Sequence, residues 1–360
     1  MVPRYLKEVH WPIFILTVLL AGVGALEIYS ASFRDEGGYA SKQLLWLLAG
    51  IGVFFVTLWI GYRSILNLSN LFYIFTIGLL VWVLMFTETH SGSQRWITVG
   101  SFAIQPSEFC KIATILVLAN FLAARSVLLK QKRTFAAAIF LAALPAALVL
   151  KQPDLGSALV FIPILIAMIF LWGVRIRYLV TLFLMGAASV PFLWHMLKPY
   201  QQKRLLVFFN PQIDPIGASY TAIQSKIAVG SGGLFGKGWL QGTQTQLDFV
   251  PEHHTDFIFS VVAEEFGFLG AILLVFLFAL LIGYAFQIMQ HTTDLKARFL
   301  ALGIVAYISF QVFINIGMTI GLAPITGLTL PFISYGGSSL IANFFAFGLL
   351  ASIYKERSIF

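Results

Sequence analysis

Charged residues are scarce in this sequence. They make up 11% of its 360 residues, whereas a typical soluble domain carries about 25%. The scarcity excludes an ordinary soluble domain. Cysteine is nearly absent as well, and the single one, Cys110, excludes an intrachain disulfide. Because Cys110 falls inside an apolar run, we interpret it as a packing residue.

Apolar residues are abundant instead: 59% of the chain is hydrophobic, and phenylalanine alone occurs 35 times. Apolar runs of about 20 residues are long enough to cross a bilayer as helices. We therefore predict an all-α integral membrane protein with about ten transmembrane helices, forming a single polytopic domain over residues 1–360. The predicted spans are 11–31, 43–62, 68–87, 106–124, 134–150, 155–172, 178–197, 257–289, 299–320 and 332–353.

Basic residues set the predicted orientation, because cytoplasmic loops carry an excess of Lys and Arg. Both termini are predicted to be cytoplasmic, and the long loop 198–256, between spans seven and eight, to be extracytoplasmic. The basic-rich loops contain Arg4, Lys7, Arg63, Arg125, Lys130, Lys132, Arg133, Arg175, Arg177, Lys296, Arg298, Lys355 and Arg357. The opposite short loops contain Arg34, Lys42, Arg95 and Lys151. Because the net charge of +8 is scattered in this way, it predicts no nucleic-acid partner.

Four acidic residues lie near the predicted outer ends of their spans: Glu27, Glu108, Asp154 and Asp256. Charged groups in a membrane are costly and usually face a protein interior or a wet cavity. For each residue alone, ion pairing between helices is an equal alternative. As a set they predict a polar cavity that opens to the outside.

The stretch 249–259 leads from the long polar loop into the eighth span. We expect Asp256 in the first turn of that helix, where the helix dipole favours its charged form and burial favours its neutral form. It is either a tuned general base or an ordinary N-terminal charge. Glu252, His253 and His254 add metal-ligand types, but the usual zinc spacings are absent. A Mg²⁺ or Mn²⁺ ion carried with a diphosphate needs fewer protein ligands.

Further polar residues occur near the same surface. Glu108 and Lys111 share a helix face, either as a structural pair or to present a cation to an anionic substrate. Arg95 and Trp96 lie at the outer surface, where Trp96 is either an interfacial anchor or a substrate contact. Asp154 follows a proline at a helix start and is either a substrate contact or a cap.

The glycine-rich segment 230–238 carries Lys237 but does not match the P-loop pattern. We favour a flexible loop, and the alternative is a site where amides and Lys237 contact a diphosphate.

In the eighth span, Glu264 is about 80° round from Asp256 and roughly 12 Å deeper. We expect Glu264 to line the cavity and Glu265 to pair with a neighbouring helix. The stretch 330–339, which includes Ser334, predicts close packing or unwound backbone suited to substrate approach.

Six stretches taken in order resemble the SEDS family, and its RodA branch more than its FtsW branch. They are Gln94-Arg95-Trp96-Ile97, Gln105-Pro106-Ser107-Glu108 with Lys111, Gln152-Pro153-Asp154-Leu155-Gly156, Gly230-Ser231-Gly232-Gly233, Pro251-Glu252-His253-His254-Thr255-Asp256-Phe257-Ile258-Phe259 with Glu264-Glu265, and Leu330-Pro331-Phe332-Ile333-Ser334-Tyr335-Gly336-Gly337-Ser338. The RodA preference rests on the short termini and the paired histidines. Ser91-Gly92-Ser93 departs from the Asn-Gly-Ala that is frequent in the family.

The resemblance implies a multi-pass protein of the bacterial cytoplasmic membrane that polymerises lipid II into peptidoglycan strands on the outer face, for cell elongation and shape. Lipid II is an undecaprenyl-diphosphate-linked disaccharide pentapeptide. The resemblance also implies a class B penicillin-binding protein, a transpeptidase, as partner, with membrane lipid around both. A lipid II flippase, which would use the same cavity for transport, is the alternative.

For the polymerising reaction, Asp256 is the expected base. Arg95, Lys111 and Lys237 are the expected cations for the departing diphosphate, assisted by a divalent cation and no organic cofactor. The rest of the expected substrate-binding set is Trp96, Glu108, Asp154, His254, Glu264 and Ser334.

Overall fold

A computed structural model describes residues 9–33, 38–86, 95–99, 102–125 and 132–357. Its helices are α1 (Trp11–Ala31), α2 (Tyr39–Ile60), α3 (Tyr62–Asn67), α4 (Ser69–Phe86), α5 (Pro106–Ala124), α6 (Lys132–Lys151), α7 (Leu155–Leu171), α8 (Ile176–Met196), α9 (Pro199–Phe209), α10 (Tyr220–Ser231), α11 (Thr243–Gln246), α12 (Ile258–His291), α13 (Leu295–Ile320) and α14 (Gly337–Arg357). Between α4 and α5, β1 (Ile97–Val99) and β2 (Phe102–Ile104) form a small antiparallel hairpin. A 3-10 turn, Pro211–Ile213, follows α9.

The all-α membrane class is confirmed. Eight helices in the described part of the chain are long and apolar enough to cross a membrane. The predicted sixth and seventh spans correspond to shorter apolar stretches, Leu155–Leu171 and Ile176–Ser189. The tenth predicted span was expected to begin at 332, but the corresponding helix, α14, begins at Gly337. The segment before it forms non-helical turns that pack against α1.

The membrane orientation and the single-domain organisation stay predictions. Of the residues used for orientation, Arg4, Lys7, Arg34 and Lys130 lie outside the described residues, as do Gln94 and the Ser91-Gly92-Ser93 stretch of the motif comparison.

Two helices form the centre of the bundle. In the most apolar stretch of α14, 78% of the residues are buried, and in that of α5, 72% are buried. The corresponding fractions for α2, α4 and α6 are 28% each, and 22% for α12. These outer helices present most of their apolar side chains outward, which is the arrangement that lipid stabilises. Cys110 of α5 is wholly buried in the packing, as expected.

The glycine segment (residues 230–238) is packed, so the expectation of simple flexibility is wrong. Inside α12 the backbone leaves helical geometry at Gly267, with φ of 66°, and the glycine segment docks at this break. Four hydrogen bonds of 2.8 to 3.2 Å join the two, from the N–H groups of Lys237 and Gly238 to the carbonyls of Glu264 and Glu265, and from those of Phe268 and Leu269 to the carbonyls of Gly233 and Leu234. Gly236 has φ of +81°, and a Cβ there would lie 2.0 Å from the Glu265 carbonyl oxygen. Only glycine fits this position.

Candidate active site

Asp256 lies in a turn at the N-terminal end of α12. The helix begins at Ile258 with Phe257 as its N-cap, so Asp256 is not in the first turn as predicted. Its N–H donates to the Glu252 carbonyl at 3.1 Å, which folds residues 252–256 into a turn of their own. The carboxylate is therefore displaced from the helix N-terminus.

Neighbouring segments hold this turn from two sides. Ser334 Oγ donates to the Thr255 carbonyl at 2.5 Å, and the Tyr335 N–H donates to the His254 carbonyl at 3.0 Å. Asn315 Nδ2 of α13 donates to the Asp256 carbonyl at 2.9 Å. The position of the carboxylate is thus set by buried groups rather than by the loop alone.

A cavity of about 350 Å³ opens beside Asp256, and we call it the outer cavity because this end of the bundle is predicted to face outward. Its walls are the 251–257 turn, the polar face of α9, and Ile325 from the segment between α13 and α14. The lining residues are Tyr200, Lys203, Arg204, Gly217, Ala218, Thr221, Pro251, Glu252, Asp256, Phe257 and Ile325. A site with carboxylates on one wall and cations on the other suits an anionic, hydroxyl-bearing substrate.

The Asp256 carboxylate is half-buried and receives no hydrogen bond from the described residues. Desolvation raises its pKa from 3.8 to about 6, and the nearby Glu252 charge acts in the same direction. Arg204 and Arg95 oppose the rise. A carboxylate with this pKa is largely ionised at neutral pH and still accepts a proton, which are the requirements for a general base.

The two cations of α9 differ in what they already bind. Lys203 Nζ lies 2.6 Å from Asp214 Oδ2, and this hydrogen bond holds the Asp214 pKa below its usual range. Arg204 forms no ion pair with a described residue, and its guanidinium lies 5.8 Å from the centroid of the Tyr200 ring. Arg204 is therefore the cation most available to a substrate anion.

Sequence reasoning did not place Tyr200, Lys203 or Arg204 in the site, and it named Glu252 only as a metal-ligand type. One signal was present: Lys203 and Arg204 are adjacent basic residues in a loop predicted to be outside, where the orientation rule does not require them.

Arg95 lies close to the outer cavity but in a separate, smaller pocket of about 40 Å³. Tyr200, Arg204 and Ile325 line both spaces. Arg95 Nη2 donates to the Pro153 carbonyl at 2.8 Å. Arg95 therefore reaches this pocket from the hairpin, next to α9.

Asp154 forms the N-cap of α7, accepting from the Ser157 N–H at 3.0 Å. Its other oxygen accepts from Gln105 Nε2 at 3.1 Å and lies 3.9 Å from Arg95 Nη1. Asp154 is buried and lines neither space. It orients Arg95, and the structure does not place it as a direct substrate contact.

Glu108 and Lys111 form a buried pair inside the bundle, with Lys111 Nζ 2.7 Å from Glu108 Oε1. Lys111 Nζ also lies 5.2 Å from the Tyr307 ring centroid of α13. Both side chains are buried and neither lines the cavity or the smaller pocket. In this conformation the pair joins α5 to α13.

Glu264 does not line the cavity, which corrects the prediction. It is wholly buried, and Lys237 Nζ lies 2.7 Å from its Oε1. The same carboxylate accepts from the N–H groups of Gln244 at 2.9 Å and Thr245 at 3.2 Å. The helical-wheel estimate failed because residues 237–245 fold back over this face of α12. Lys237 is thereby engaged with Glu264, away from Asp256.

The four outer acids do not converge on one cavity, because only Asp256 lines it. Glu27 is buried in α1. Three residues along α1, Ser30 Oγ donates to Glu265 Oε1 at 2.5 Å. The expectation that Glu265 pairs with a neighbouring helix is confirmed.

Trp96, His254 and Ser334 line neither the cavity nor the smaller pocket. Trp96 is 36% exposed next to the hairpin. The His254 ring lies 4.8 Å from the Tyr39 ring. Ser334 is buried and supports the Asp256 turn through its hydrogen bond to the Thr255 carbonyl.

No group of three His, Cys, Asp or Glu side chains with metal-binding geometry occurs among the described residues. The outer cavity offers two carboxylates, Glu252 and Asp256. Two carboxylates fit a magnesium-type ion that takes its remaining ligands from water and substrate phosphate. The divalent cation stays a prediction.

Residues 10–359 match the family model of FtsW, RodA and SpoVE, described as cell cycle proteins. Peptidoglycan glycosyltransferase MrdB of Escherichia coli K12 is 39% identical over 355 residues, covering 98% of this chain and 95% of MrdB. Peptidoglycan glycosyltransferase RodA of Treponema pallidum is 35% identical, and the match covers 96% of this chain and 97% of that RodA. A chain from a solved peptidoglycan synthase complex matches with a TM-score of 0.84 at 30% identity, covering 97% of this chain and 98% of that one. Since these matches extend over nearly the whole chain, the protein belongs to the FtsW, RodA and SpoVE family, the SEDS family, and is RodA-like.

Proposed function

We propose that this multi-pass inner-membrane protein is a peptidoglycan glycosyltransferase that polymerises lipid II on the outer face of the membrane, with Asp256 as general base. The observation that carries the proposal is the Asp256 carboxylate, with a pKa of about 6, in an open cavity opposite Arg204. The names of the relatives support the reaction class, because MrdB and RodA are both called peptidoglycan glycosyltransferases. By the same likeness, its role is in cell elongation and shape.

In this mechanism the acceptor sugar lies in the outer cavity with one hydroxyl against Asp256. The carboxylate takes the hydroxyl proton as the acceptor oxygen forms a bond to the anomeric carbon of the donor. The bond from that carbon to the diphosphate oxygen breaks, and its electron pair leaves with the diphosphate. Arg204 stabilises the departing charge, with Lys203 released in part from Asp214 and Arg95 acting from the adjoining pocket.

Glu252 is the residue that would share a divalent cation with the diphosphate. Such an ion supplies positive charge where the leaving group becomes more negative. Glu252 is exposed at the cavity wall, with Thr255 Oγ1 3.2 Å from its Oε2. It is therefore accessible without rearrangement of the turn.

The undecaprenyl tail is proposed to run along α7. Leu155 and Leu159 of this helix line the smaller pocket beside Arg95. Farther along, Ile162, Ile166 and Phe170 are 51%, 42% and 65% exposed. This apolar face continues from the diphosphate-binding side into the bilayer.

A class B penicillin-binding protein is the proposed partner. The similar solved chain comes from a complex described as coordinating polymerisation and crosslinking. A polymerase and a transpeptidase in one complex would perform these two reactions in sequence.

The alternative function, a lipid II flippase, would need a polar path through the bundle. The other charged groups along the bundle are buried and paired in this conformation, Glu108 with Lys111 and the deeper Glu264 with Lys237. The charged cavity lies at one end of the bundle, which favours the enzyme.

The test is glycan-strand formation from purified lipid II in detergent, with the partner and a divalent cation present. Asp256→Asn keeps the size of the side chain but removes the base, and losing a positioned base typically costs about 10²–10⁴ in rate. The control is Asp248→Asn, which changes an exposed carboxylate of the same loop. The Oδ1 atom of Asp248 lies 3.9 Å from His253 Nε2. We expect polymer from the wild type and the control and almost none from Asp256→Asn.

Detergent abolishes membrane sidedness, so transport cannot contribute to this signal. Normal polymerisation by Asp256→Asn would show that Asp256 is not the base. A wild type that makes no polymer with its partner, yet moves lipid II across vesicles, would establish the flippase instead.

A further inference from the structure

One buried amide group connects the Asp256 turn to the segment between α13 and α14. Asn315 of α13 is wholly buried. Its Nδ2 donates to the Asp256 carbonyl at 2.9 Å and to the Leu328 carbonyl at 2.6 Å. These carbonyls are 59 and 13 residues away in the chain. A single NH₂ group therefore fixes the separation of two segments that no local turn joins.

Both segments form the site. Leu328 follows Gly327, whose φ is +74° and where a Cβ would lie 3.4 Å from Asp256 Oδ2. Two residues earlier, Ile325 lines the outer cavity. The Asp256 carboxylate thus lies against backbone that the same amide holds in place.

The chemistry of Asn315 indicates that its two N–H groups are what this position requires. Its Oδ1 is buried with no hydrogen-bond partner in the described part of the chain. A buried polar atom without a partner destabilises the folded state. An apolar side chain would avoid this penalty but would leave the Asp256 and Leu328 carbonyls without this donor, while ionised aspartate has no N–H and serine has a single donor. An amide is therefore the side chain that can bridge the two carbonyls.

We propose that Asn315 is a positioning residue for catalysis, holding Asp256 at the distance from the cavity wall at which its carboxylate reaches the acceptor hydroxyl. The proposal rests on the proposed function of Asp256. A general base must come within about 2.6–3.2 Å of the proton donor. A misplacement of about 1 Å costs up to about 100-fold in rate. Asn315 itself contacts neither substrate nor reacting atoms.

The test compares Asn315→Ala with Asn120→Ala in the full chain with its partner. Asn120 lies near the C-terminal end of α5, where its Nδ2 also donates to a backbone group, the Leu66 carbonyl, at 3.4 Å. We expect Asn315→Ala to lower kcat about 10- to 100-fold with little change in KM for lipid II. Asn120→Ala should keep kcat within about twofold and should lose less thermal stability, because Asn120 is half-buried and its hydrogen bonds are longer.

The pH profile separates positioning from a merely structural role. Moving Asp256 relative to Glu252 and Arg204 changes the charges that set its pKa. The acid limb of kcat/KM should therefore shift in Asn315→Ala and not in Asn120→Ala. If Asn315→Ala does not fold, Asn315→Ser, which keeps one donor, should give an intermediate kcat and the same kind of shift.

Wild-type kcat in folded Asn315→Ala, or in Asn315→Ser where the alanine variant is unfolded, would overturn the proposal. So would a lowered kcat with an unshifted acid limb, because that result fits a structural role. An inactive Asp256→Asn combined with an unimpaired Asn315→Ala removes only the positioning role. Normal polymerisation by Asp256→Asn removes the general base and this proposal together.

Discussion

Asp256 and Glu264 are two carboxylates eight residues apart, and the fold treats them in opposite ways. Glu264 is wholly buried, with an ion pair to Lys237 at 2.7 Å and backbone N–H donors at 2.9 and 3.2 Å. Asp256 is half-buried and receives no hydrogen bond from the described residues. The protein satisfies one acid internally and leaves the bonding capacity of the other to a ligand.

The difference shows which of the two acids is the better candidate for a catalytic residue. A carboxylate whose hydrogen bonds and charge are already matched is stabilised in its ionised form and has little left to offer a substrate. A carboxylate that is desolvated without a bound cation has a raised pKa and destabilises the ionised native state. Burial alone would have selected Glu264, whereas Asp256 is the carboxylate that opens onto the cavity without a hydrogen-bond partner among the described residues.

The largest stability effect should come from breaking the satisfied pair. Glu264→Gln removes the charge opposite Lys237 and weakens the acceptor for the loop amides. Breaking a buried pair typically costs about 3–5 kcal/mol, and we expect about 3 kcal/mol because Lys237 is 25% exposed. Thermal unfolding of the purified chain measures it. The matched control is Glu356→Gln, whose partner Arg63 is 55% exposed and whose loss should cost under about 1 kcal/mol. Equal losses in both variants would contradict the comparison.

The second effect has the opposite sign: Asp256→Asn should raise stability while abolishing polymerisation. The folded-state pKa of about 6 lies above the ordinary value of 3.8, so the native state binds this proton more tightly than the unfolded state does. Stability is then lost as pH rises through about 4 to 6. The shift corresponds to roughly 2–3 kcal/mol, which the asparagine variant should recover above pH 6.

Thermal unfolding at about pH 4 and about pH 8 tests this. The two proteins should unfold at similar temperatures in acid, and the variant should unfold at the higher temperature at the alkaline end. A variant less stable than the wild type at both values would mean that Asp256 is satisfied after all.

The smallest effect concerns the pH dependence of activity. The base must be ionised, so kcat/KM should be half-maximal near pH 6 and should fall about tenfold per unit below it. Arg204→Gln removes a charge that lowers the Asp256 pKa, so its acid limb should move to higher pH. Initial rates of strand formation between about pH 5 and 8 measure both. A pH profile of kcat/KM that Arg204→Gln leaves unchanged would show that the Arg204 charge does not influence the pKa of the base.

Much of the fold was predictable because hydrocarbon imposes a strong constraint. Each of the ten predicted apolar runs corresponds to an apolar helix, since a lipid-exposed backbone has to satisfy its own hydrogen bonds. Asp256 was also accessible, because it lies where a polar loop meets an apolar run. Local composition was enough to predict the spans and to single out Asp256, whereas the choice of Asp256 as base came from the family resemblance.

The rest of the site depends on contacts between distant segments. Arg204 and Tyr200 reach Asp256 only after α9 folds over the helix ends, and no periodic pattern encodes that approach. Glu264 was misplaced because the helix was assumed to include Asp256, whereas it begins at Ile258, and because the folding back of residues 237–245 was not foreseen. The adjacent glycines and paired glutamates carried the signal, but a close-packed glycine and a flexible one look alike in sequence.

The break at Gly267 has a consequence for biogenesis. The N–H groups of Phe268 and Leu269 are bonded by the glycine segment, and a bilayer offers no water to replace it. The hydrogen bonds of the eleventh and twelfth residues of α12 are therefore completed by chain that is synthesised earlier. In the predicted orientation, the loop has crossed the membrane and folded back before this helix reaches its final state. The final form of this span and the folding of the loop are therefore coupled.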